Sequence, residues 1–423
     1  MKFPFYNHAS HHDTKPDLVV SLPGIQLPPV QKSPNWFDIC MVMEAKAVQK
    51  QDPFGKAGQL HADTAIQLSI SARNLMFAHG FLFVFVFGIY GDVARIARFD
   101  RACAVVSPPI PYRTRPGILR RFFWRLVHPS VGHTVVGADP AIRRLTTEDV
   151  RLVKEQLEAI KWDTADLSDA EMLKGRRVTV PEGQAKDAPT RTFVLFDLLD
   201  VNARLFSRST MVWLALEDRR DVEDATPPKV AVLKEAWHQI IRRPETEFYE
   251  RLKHIPEDQR VGLPQMLCGV DYGEREVKEW RACGGILPRY GPDGKDPGPP
   301  VPSTQAAEAP PPDEDPVESS TEEQDVASHM HTQDVDPLPS QDADTSPLLE
   351  YPLPYPQYQT HTWRLLHGDK HSNRERSLVR IVVDAVGRPL SRFRSTREMI
   401  EGFRDAIEGK RIFCDRFLAR DLS

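Results

Sequence analysis

The chain has 423 residues, a formal net charge of -5 and a pI near 6.3. This length allows two or three domains, and 40% hydrophobic residues are enough for at least one core. The acidic balance argues against a protein that binds nucleic acid constitutively, so nucleic acid is not an expected partner.

Cysteine and targeting signals exclude further classes. The five cysteines occur singly, without C-x-x-C spacing, so we expect neither a disulfide framework nor a zinc knuckle. The N-terminus lacks the apolar core of a signal peptide. The longest apolar run, 81–90, is far shorter than the roughly 20 residues of a spanning helix. We therefore expect an intracellular protein, cytoplasmic or nuclear, with no membrane partner.

The first half of the chain predicts an α/β region. Residues 1–34 are rich in Pro, His and Asp and are expected to form a disordered tail, and the α/β region covers 35–165. Its predicted elements are a strand over 36–46, a helix over 62–77, strands over 81–90 and 93–106 joined by a Gly91-Asp92 turn, and a helix after a capping box at Thr146 to Asp149.

The second half predicts a lobe interrupted by an insertion. A polar linker is expected over 166–189, and globular character covers 190–286 and 359–423. The window 287–358 carries 16 of the 37 prolines and runs of Asp and Glu, a composition that predicts disorder. The predicted elements are strands over 193–199, 210–216, 229–233 and 378–386, a helix through Phe248 and Leu252, and a helix over 396–408.

Short motifs follow one another in a fixed order along this half. A loop at 207–210 lies between two strands, a strand ends at Lys234, a helix begins near Glu245, and 419–421 reads Ala-Arg-Asp. In protein kinases a strand lysine contacts the ATP phosphates, a helix glutamate holds that lysine, and the aspartate of an R-D pair accepts the hydroxyl proton. The order therefore predicts a kinase-type lobe. Glu247 lies in the same turn as Glu245, but the spacing to the following aromatic pair favours Glu245.

Other motifs extend the likeness beyond the catalytic set. They are Trp36 with Glu44-x-Lys46, a Gln-bearing helix, Phe99-Asp100-Arg101 with Ser107, Gly137-Ala138-Asp139-Pro140, Val232 to Trp237, Val386 to Leu390 with Phe393, Ser395 and Glu398, and Ala406 to Gly409 with Ala419 to Ser423. With these motifs the chain resembles the fungal-type protein kinase family over about 35–290 and 360–423.

The resemblance implies both a reaction and its residues. The reaction is ATP-dependent phosphoryl transfer to Ser/Thr hydroxyls of a protein whose identity the sequence does not give, with ATP and Mg²⁺ as cofactors. By resemblance, Lys234, Glu245 and the loop residues Ser207, Arg208, Ser209 and Thr210 form the nucleotide site. Asp421 and Arg420 take the catalytic positions. The implied fold is an α/β region followed by a kinase-like N-lobe, the α+β arrangement.

Departures from the family pattern are equally clear. Ser207 and Ser209 stand where the family has glycines, and Ala419 replaces the usual His. The Mg²⁺-binding Asn, the D-F-G segment and most of the C-lobe do not occur in the sequence, so the Mg²⁺ ligands are absent from this chain. We therefore expect a degenerate or truncated member without measurable kinase activity. A pseudokinase or protein-binding module is the alternative.

A second set of charged residues lies in the first half. Asp38, Glu44 and Lys46 are even-numbered on one predicted strand, so their side chains share a face. Their pattern is similar to the D…E-x-K motif of Mg²⁺-dependent nucleases, and Gln67 on the next helix fits the same pattern. A solvent-facing charged strand end is the simpler interpretation. The basic-aromatic stretch 113–125 is expected to turn Leu119, Phe122, Phe123 and Leu126 inward and its arginines to solvent.

Overall fold

The computed structural model describes residues 1–5, 14–22, 35–55, 62–128, 137–164, 167–220, 228–256, 260, 263–282, 357–360, 375–384, 386, 393 and 395–417. Its helices are α1 Ala62–His79, α2 Pro116–Val127, α3 Thr147–Ala159, α4 Asp169–Met172, α5 Glu245–Leu252, α6 Tyr272–Ala282 and α7 Thr396–Phe417, with short 3₁₀ turns at Trp36–Asp38 and Gln49–Gln51.

A mixed sheet forms the N-terminal part. Its strands, in spatial order, are β1 Leu18–Ser21, β2 Ile39–Lys46, β3 Val84–Tyr90, β4 Val93–Phe99 and β5 Ala104–Val106. β2 and β3 run parallel, which requires a crossover, and α1 supplies it. The other neighbours are antiparallel. The predicted turn is confirmed, since Tyr90 pairs with Val93 across Gly91-Asp92.

A second sheet is antiparallel throughout. In spatial order its strands are β11 Met266–Asp271, β12 Arg376–Val383, β10 Val230–Gln239, β9 Met211–Glu217, β8 Thr190–Val201, β7 Arg176–Pro181 and β6 Ile142–Arg144. The strand after the long insertion, β12, lies between β10 and β11. The two segments of the predicted lobe, 190–286 and 359–423, therefore pair within one sheet.

The two faces of this sheet have different partners. Odd-numbered side chains of β8 to β10 join the core of the N-terminal part, where the rings of Phe5 and Trp213 meet edge to face at 5.5 Å. Even-numbered side chains of β8 and β9 pack against α3. Met266 of β11 and the odd-numbered Val379 and Ile381 of β12 pack against Tyr249 of α5. The N-terminal part thus covers one face of the sheet and leaves the face of Lys234 to α3 and α5.

α3 begins at the predicted capping box. The Thr146 hydroxyl accepts from the Asp149 amide at 3.2 Å, and an Asp149 carboxylate oxygen accepts from the Thr146 amide at 2.9 Å. The basic-aromatic stretch forms most of α2, and its Leu119, Phe122, Phe123 and Leu126 pack inward as predicted, with Phe122 and Phe123 against Phe85 and Phe87 of β3. The α2 helix itself was not predicted.

Two predicted segments differ from the structure. The tail predicted over 1–34 contains β1, and Phe3 and Phe5 are buried. β1 is stabilised by pairing with another strand, and Phe3 and Phe5 pack against aromatic rings far away in the sequence. The local amino-acid composition of residues 1–34 gives no sign of either contact. The linker predicted over 166–189 contains α4 and β7, because Val178 and Val180 alternate with polar residues and bury one face.

Both sheets belong to one compact unit made of residues 1–287 and 355–423. The predicted insertion falls largely in the other unit, 288–354, which lies outside the described residues. Among the helices of the described residues, none is long and apolar enough to cross a bilayer.

Candidate functional site

Lys234 and Glu245 form an ion pair at the centre of the candidate site. Lys234 lies on β10, and its ammonium donates to both carboxylate oxygens of Glu245, at 2.8 and 2.7 Å. Glu245 is the first residue of α5, which starts directly after Pro244. Glu247, the alternative in the same turn, pairs instead with Arg251. The two charged side chains are each about one third exposed, at 32% and 30%, so the pair faces solvent rather than the core.

The loop between β8 and β9 lies beside this pair. The Arg208 carbonyl accepts from the Trp237 amide at 2.7 Å, which ties the loop to β10. An Arg208 guanidinium nitrogen lies 3.9 Å from a Glu245 carboxylate oxygen. Arg208 and Lys234 therefore share one carboxylate. Thr210 closes the loop, because its carbonyl accepts from the Asn202 amide at 2.8 Å.

Ser207 and Ser209 hold the loop in a compact form. Ser209 has a φ of +44°, a left-handed conformation that glycine adopts at least cost, and it is buried. Its hydroxyl donates to the Arg204 carbonyl at 2.9 Å, and its amide donates to the Ser207 hydroxyl at 3.0 Å. The two serine hydroxyls thus hydrogen-bond to backbone groups that a glycine loop leaves without a side-chain partner. The Ser209 amide already donates a hydrogen bond within the loop.

A cavity of about 300 Å³ opens next to the ion pair. Its charged lining consists of Arg208, Lys234, Arg242, Arg243 and Glu245. Its floor is formed by Ala236 of β10 and by Val379 and Ile381 of β12. Four cations against one carboxylate make this cavity positive. The pKa of neighbouring Arg376 is lowered by burial and by the charges of Arg208 and Arg242.

The opposite face of β10 carries a buried charge network. Arg380 of β12 is fully buried, donates to Glu235 at 2.7 Å and pairs with Asp139. Tyr358 donates to the other Asp139 oxygen at 2.7 Å. Burial alone would raise the pKa of Glu235, but the charges of Arg380 and Arg176 hold it below its usual value. This network joins the N-terminal part to the second sheet.

The network explains two of the sequence motifs. Asp139 belongs to the motif at 137–140, and Glu235 follows Lys234 in the motif at 232–237. Gly137 has a φ of +87°, and a Cβ there would lie 2.1 Å from the Phe83 carbonyl oxygen. Only glycine fits at this position, and the turn then directs Asp139 to Arg380. Both motifs therefore have a structural role on the face away from the cavity.

The structure brings part of the predicted site together. Lys234, Glu245 and the loop of Ser207 to Thr210 meet at one cavity. Arg420 and Asp421 lie outside the described residues, as does 387–390 of the motif that begins at Val386. Sequence reasoning missed Arg242, Arg243 and Arg380. The signal for Arg380 was present, since it is the one charged residue in the apolar run of 378–383.

Comparison with known proteins agrees with the fold. The second sheet, with a lysine strand followed by a glutamate helix, defines a kinase-like α+β lobe. The family model described as fungal protein kinase matches residues 15–423. The chain therefore belongs to the fungal protein kinase family. No curated protein and no solved structure matches the chain significantly. The family match begins at residue 15, so it includes β1, which the predicted tail left out.

The cofactors that the family implies fit this site unequally. The positive cavity suits phosphate groups, because lysine and arginine are the side chains that bind them. Among the described ranges, no group of three or more His, Cys, Asp or Glu residues is placed to hold a metal ion. At this cavity the described residues are therefore suited to phosphate groups and supply no complete Mg²⁺ ligand set.

Proposed function

We propose that this chain binds ATP through the cavity beside Lys234. In this proposal the Lys234 ammonium contacts the phosphates, Glu245 keeps Lys234 in place, and Arg208 adds a second positive charge from the loop. The observation that carries the proposal is the paired contact of Lys234 with both oxygens of Glu245 at 2.8 and 2.7 Å. A kinase requires this strand-to-helix pair for phosphate binding.

The reaction proposed for the site is phosphoryl transfer to a Ser or Thr hydroxyl of a protein. Asp421, with Arg420 beside it, is proposed to accept the hydroxyl proton. Mg²⁺, when bound with ATP, neutralises charge that develops on the transferred group. The protein groups described here bind and orient, since the carboxylate of Glu245 stops the Lys234 side chain from swinging away from the cavity.

Binding without turnover is the second candidate, and the serine loop favours it. In a glycine loop, backbone amides point at the phosphates. Here the Ser209 amide donates to Ser207, and the Ser207 hydroxyl donates to the Arg204 carbonyl at 2.8 Å. Fewer loop donors are then left for a phosphate. A pseudokinase or a protein-binding module that uses ATP as a structural ligand follows from this arrangement.

The test is a titration of a fluorescent ATP analogue into the wild-type chain and two variants. Lys234→Met removes a charge-assisted contact worth about 1.5–3 kcal/mol, so we expect affinity to fall by about 10-fold or more. Lys229→Met is the matched control, because Lys229 begins the same stretch of chain but is 68% exposed and pairs with Asp384. This control is expected to bind like wild type.

The outcomes separate the candidates. Equal affinity of Lys234→Met and wild type would reject the proposed site. If wild type binds ATP and phosphorylates a mixed protein substrate, transfer is supported. Binding without transfer supports the pseudokinase. Replacing Ser207 and Ser209 together by glycine is expected to tighten binding, since amide donors are released from the loop.

A further inference from the structure

A group of polar side chains meets at one edge of the N-terminal sheet, away from the ATP cavity. Lys46 donates to Glu44, and the Gln67 amide donates to the other Glu44 oxygen at 2.9 Å. Asp17 lies 3.9 Å from the Lys46 ammonium and accepts from the Ala45 amide at 2.8 Å. Two carboxylates, one lysine and one amide therefore share one site.

The fold assembles this group from three elements. β1 pairs antiparallel with β2, with Leu18 opposite Met43, so Asp17 comes to the level of Glu44. Glu44 and Lys46 are two residues apart on β2 and face the same side, as the sequence predicted. α1, which crosses from β2 to the parallel β3, places Gln67 above Glu44.

Asp17 takes the place that the sequence analysis gave to Asp38. Asp38 lies in the turn before β2, and the strand from Ile39 to Glu44 alone spans about 16 Å. Its carboxylate is therefore too distant to share a metal ion with Glu44. Asp17 has no such restriction, because it comes from the neighbouring strand at the level of Glu44.

A buried hydroxyl without a hydrogen-bond partner lies on the same face of the sheet, because Tyr90 pairs in register with Lys46. Tyr90 is fully buried, and its hydroxyl makes no hydrogen bond. Its ring lies over Gly88, where a Cβ would come within 2.4 Å of the phenol oxygen, and Gly88 pairs with Glu44 across β2 and β3. Burial raises the pKa of Tyr90, and the charges of Asp52 and Glu44 raise it further. A ligand water or a phosphate oxygen beside Glu44 would give this hydroxyl its missing partner.

The group is buried at one end and open at the other. The Glu44 side chain is 3% exposed, Lys46 is 23% and Asp17 is 43%. A buried carboxylate beside an exposed one leaves an entry path for a hydrated cation. Mg²⁺ keeps several waters and is often held by only one or two carboxylates, so two are sufficient here.

We propose that Asp17, Glu44, Lys46 and Gln67 form a Mg²⁺-dependent phosphodiesterase site that cleaves DNA. Asp17 and Glu44 hold the cation, and Lys46 steadies the attacking water. The water oxygen bonds to phosphorus as the bond from phosphorus to O3′ breaks. The attacking water passes a proton to bulk water, and O3′ takes one from a metal-bound water. The products are a 5′-phosphate and a 3′-hydroxyl. This proposal is independent of ATP binding at Lys234.

The test uses the full chain in two measurements. The first is calorimetric titration with Mn²⁺ alone, and the second is cleavage of supercoiled plasmid with Mg²⁺ or Mn²⁺. We compare wild type with Asp17→Asn, Glu44→Gln and the matched control Asp38→Asn. Asp17→Asn and Glu44→Gln are expected to lose Mn²⁺ binding and to slow cleavage by about 100-fold or more. Asp38→Asn is expected to behave like wild type.

Several results would overturn the proposal. No Mn²⁺ binding by wild type, or no cleavage of plasmid, would reject it, and so would cleavage that survives both Asp17→Asn and Glu44→Gln. Cleavage of RNA but not of DNA would reject the proposed substrate. Asp17 is half-exposed, so Asp17→Asn is expected to fold even if Glu44→Gln does not. A thermal melt of each variant checks this.

Discussion

Loss of Arg380 is expected to be among the most destabilising single changes in the chain. Arg380→Met leaves Asp139 and Glu235 buried without the guanidinium between them. Breaking a buried pair by removing one partner costs about 3–5 kcal/mol, because the remaining charge is uncompensated. Two remaining contacts reduce this loss of stability, because Tyr358 still donates to Asp139 and Arg176 lies 3.6 Å from Glu235. We therefore expect about 3 kcal/mol.

The assay is urea denaturation followed by tryptophan fluorescence. Arg191→Met is the control, because Arg191 also contacts a carboxylate with two nitrogens, at 2.6 Å each to Glu217, and lies over the Phe193 ring. Its pair is about a quarter to a third exposed, so we expect a loss below about 1 kcal/mol. If Arg380→Met costs no more than Arg191→Met, the network does not join the two parts as described.

Three further changes have defined outcomes. Ser209→Ala is expected to cost about 1 kcal/mol more than Ser209→Gly in urea denaturation, because only glycine relieves the positive φ; the reverse order would refute the strain. Burial raises the pKa of Glu276 to about 7, so the folded state keeps a proton that the unfolded state releases. The free energy of unfolding should then fall as pH rises from about 4.5 to about 7. Glu276→Gln should flatten this slope, and an unchanged slope would contradict the assignment. On α7, Ile400 and Phe403 are 59% and 48% exposed, so replacing both by Glu should raise solubility and change stability by less than about 0.5 kcal/mol. A loss above about 1 kcal/mol would mean that this face is packed.

The sequence predicted the site where its signals were local. The strand ending at Lys234, the helix that begins at Glu245 and the capping box at Thr146 each depend on neighbours within a few residues. The order of motifs then supplied the pairing of Lys234 with Glu245. The structure adds why Ser209 is tolerated in a glycine position, because the hydroxyl bonds offset the strained backbone.

The features that sequence reasoning missed depend on long-range pairing. Asp139 and Arg380 are 241 residues apart, and no local pattern joins them. β1 has only four residues and is stabilised mainly by its partner strand. The local composition therefore predicted that Asp17 belongs to a disordered tail. The same error led the nuclease pattern to Asp38, which has the right residue type but lies in the turn before β2, too far from Glu44.

Hydrogen–deuterium exchange with and without ATP tests the central claim most directly. ATP binding at the cavity predicts slower exchange in the loop of 202–210, in β10 and in the first turn of α5, with no change in β1 or β2. The same protection should be lost in Lys234→Met. Exchange that is unaffected by ATP throughout, or protection confined to the N-terminal sheet, would contradict a nucleotide site at Lys234.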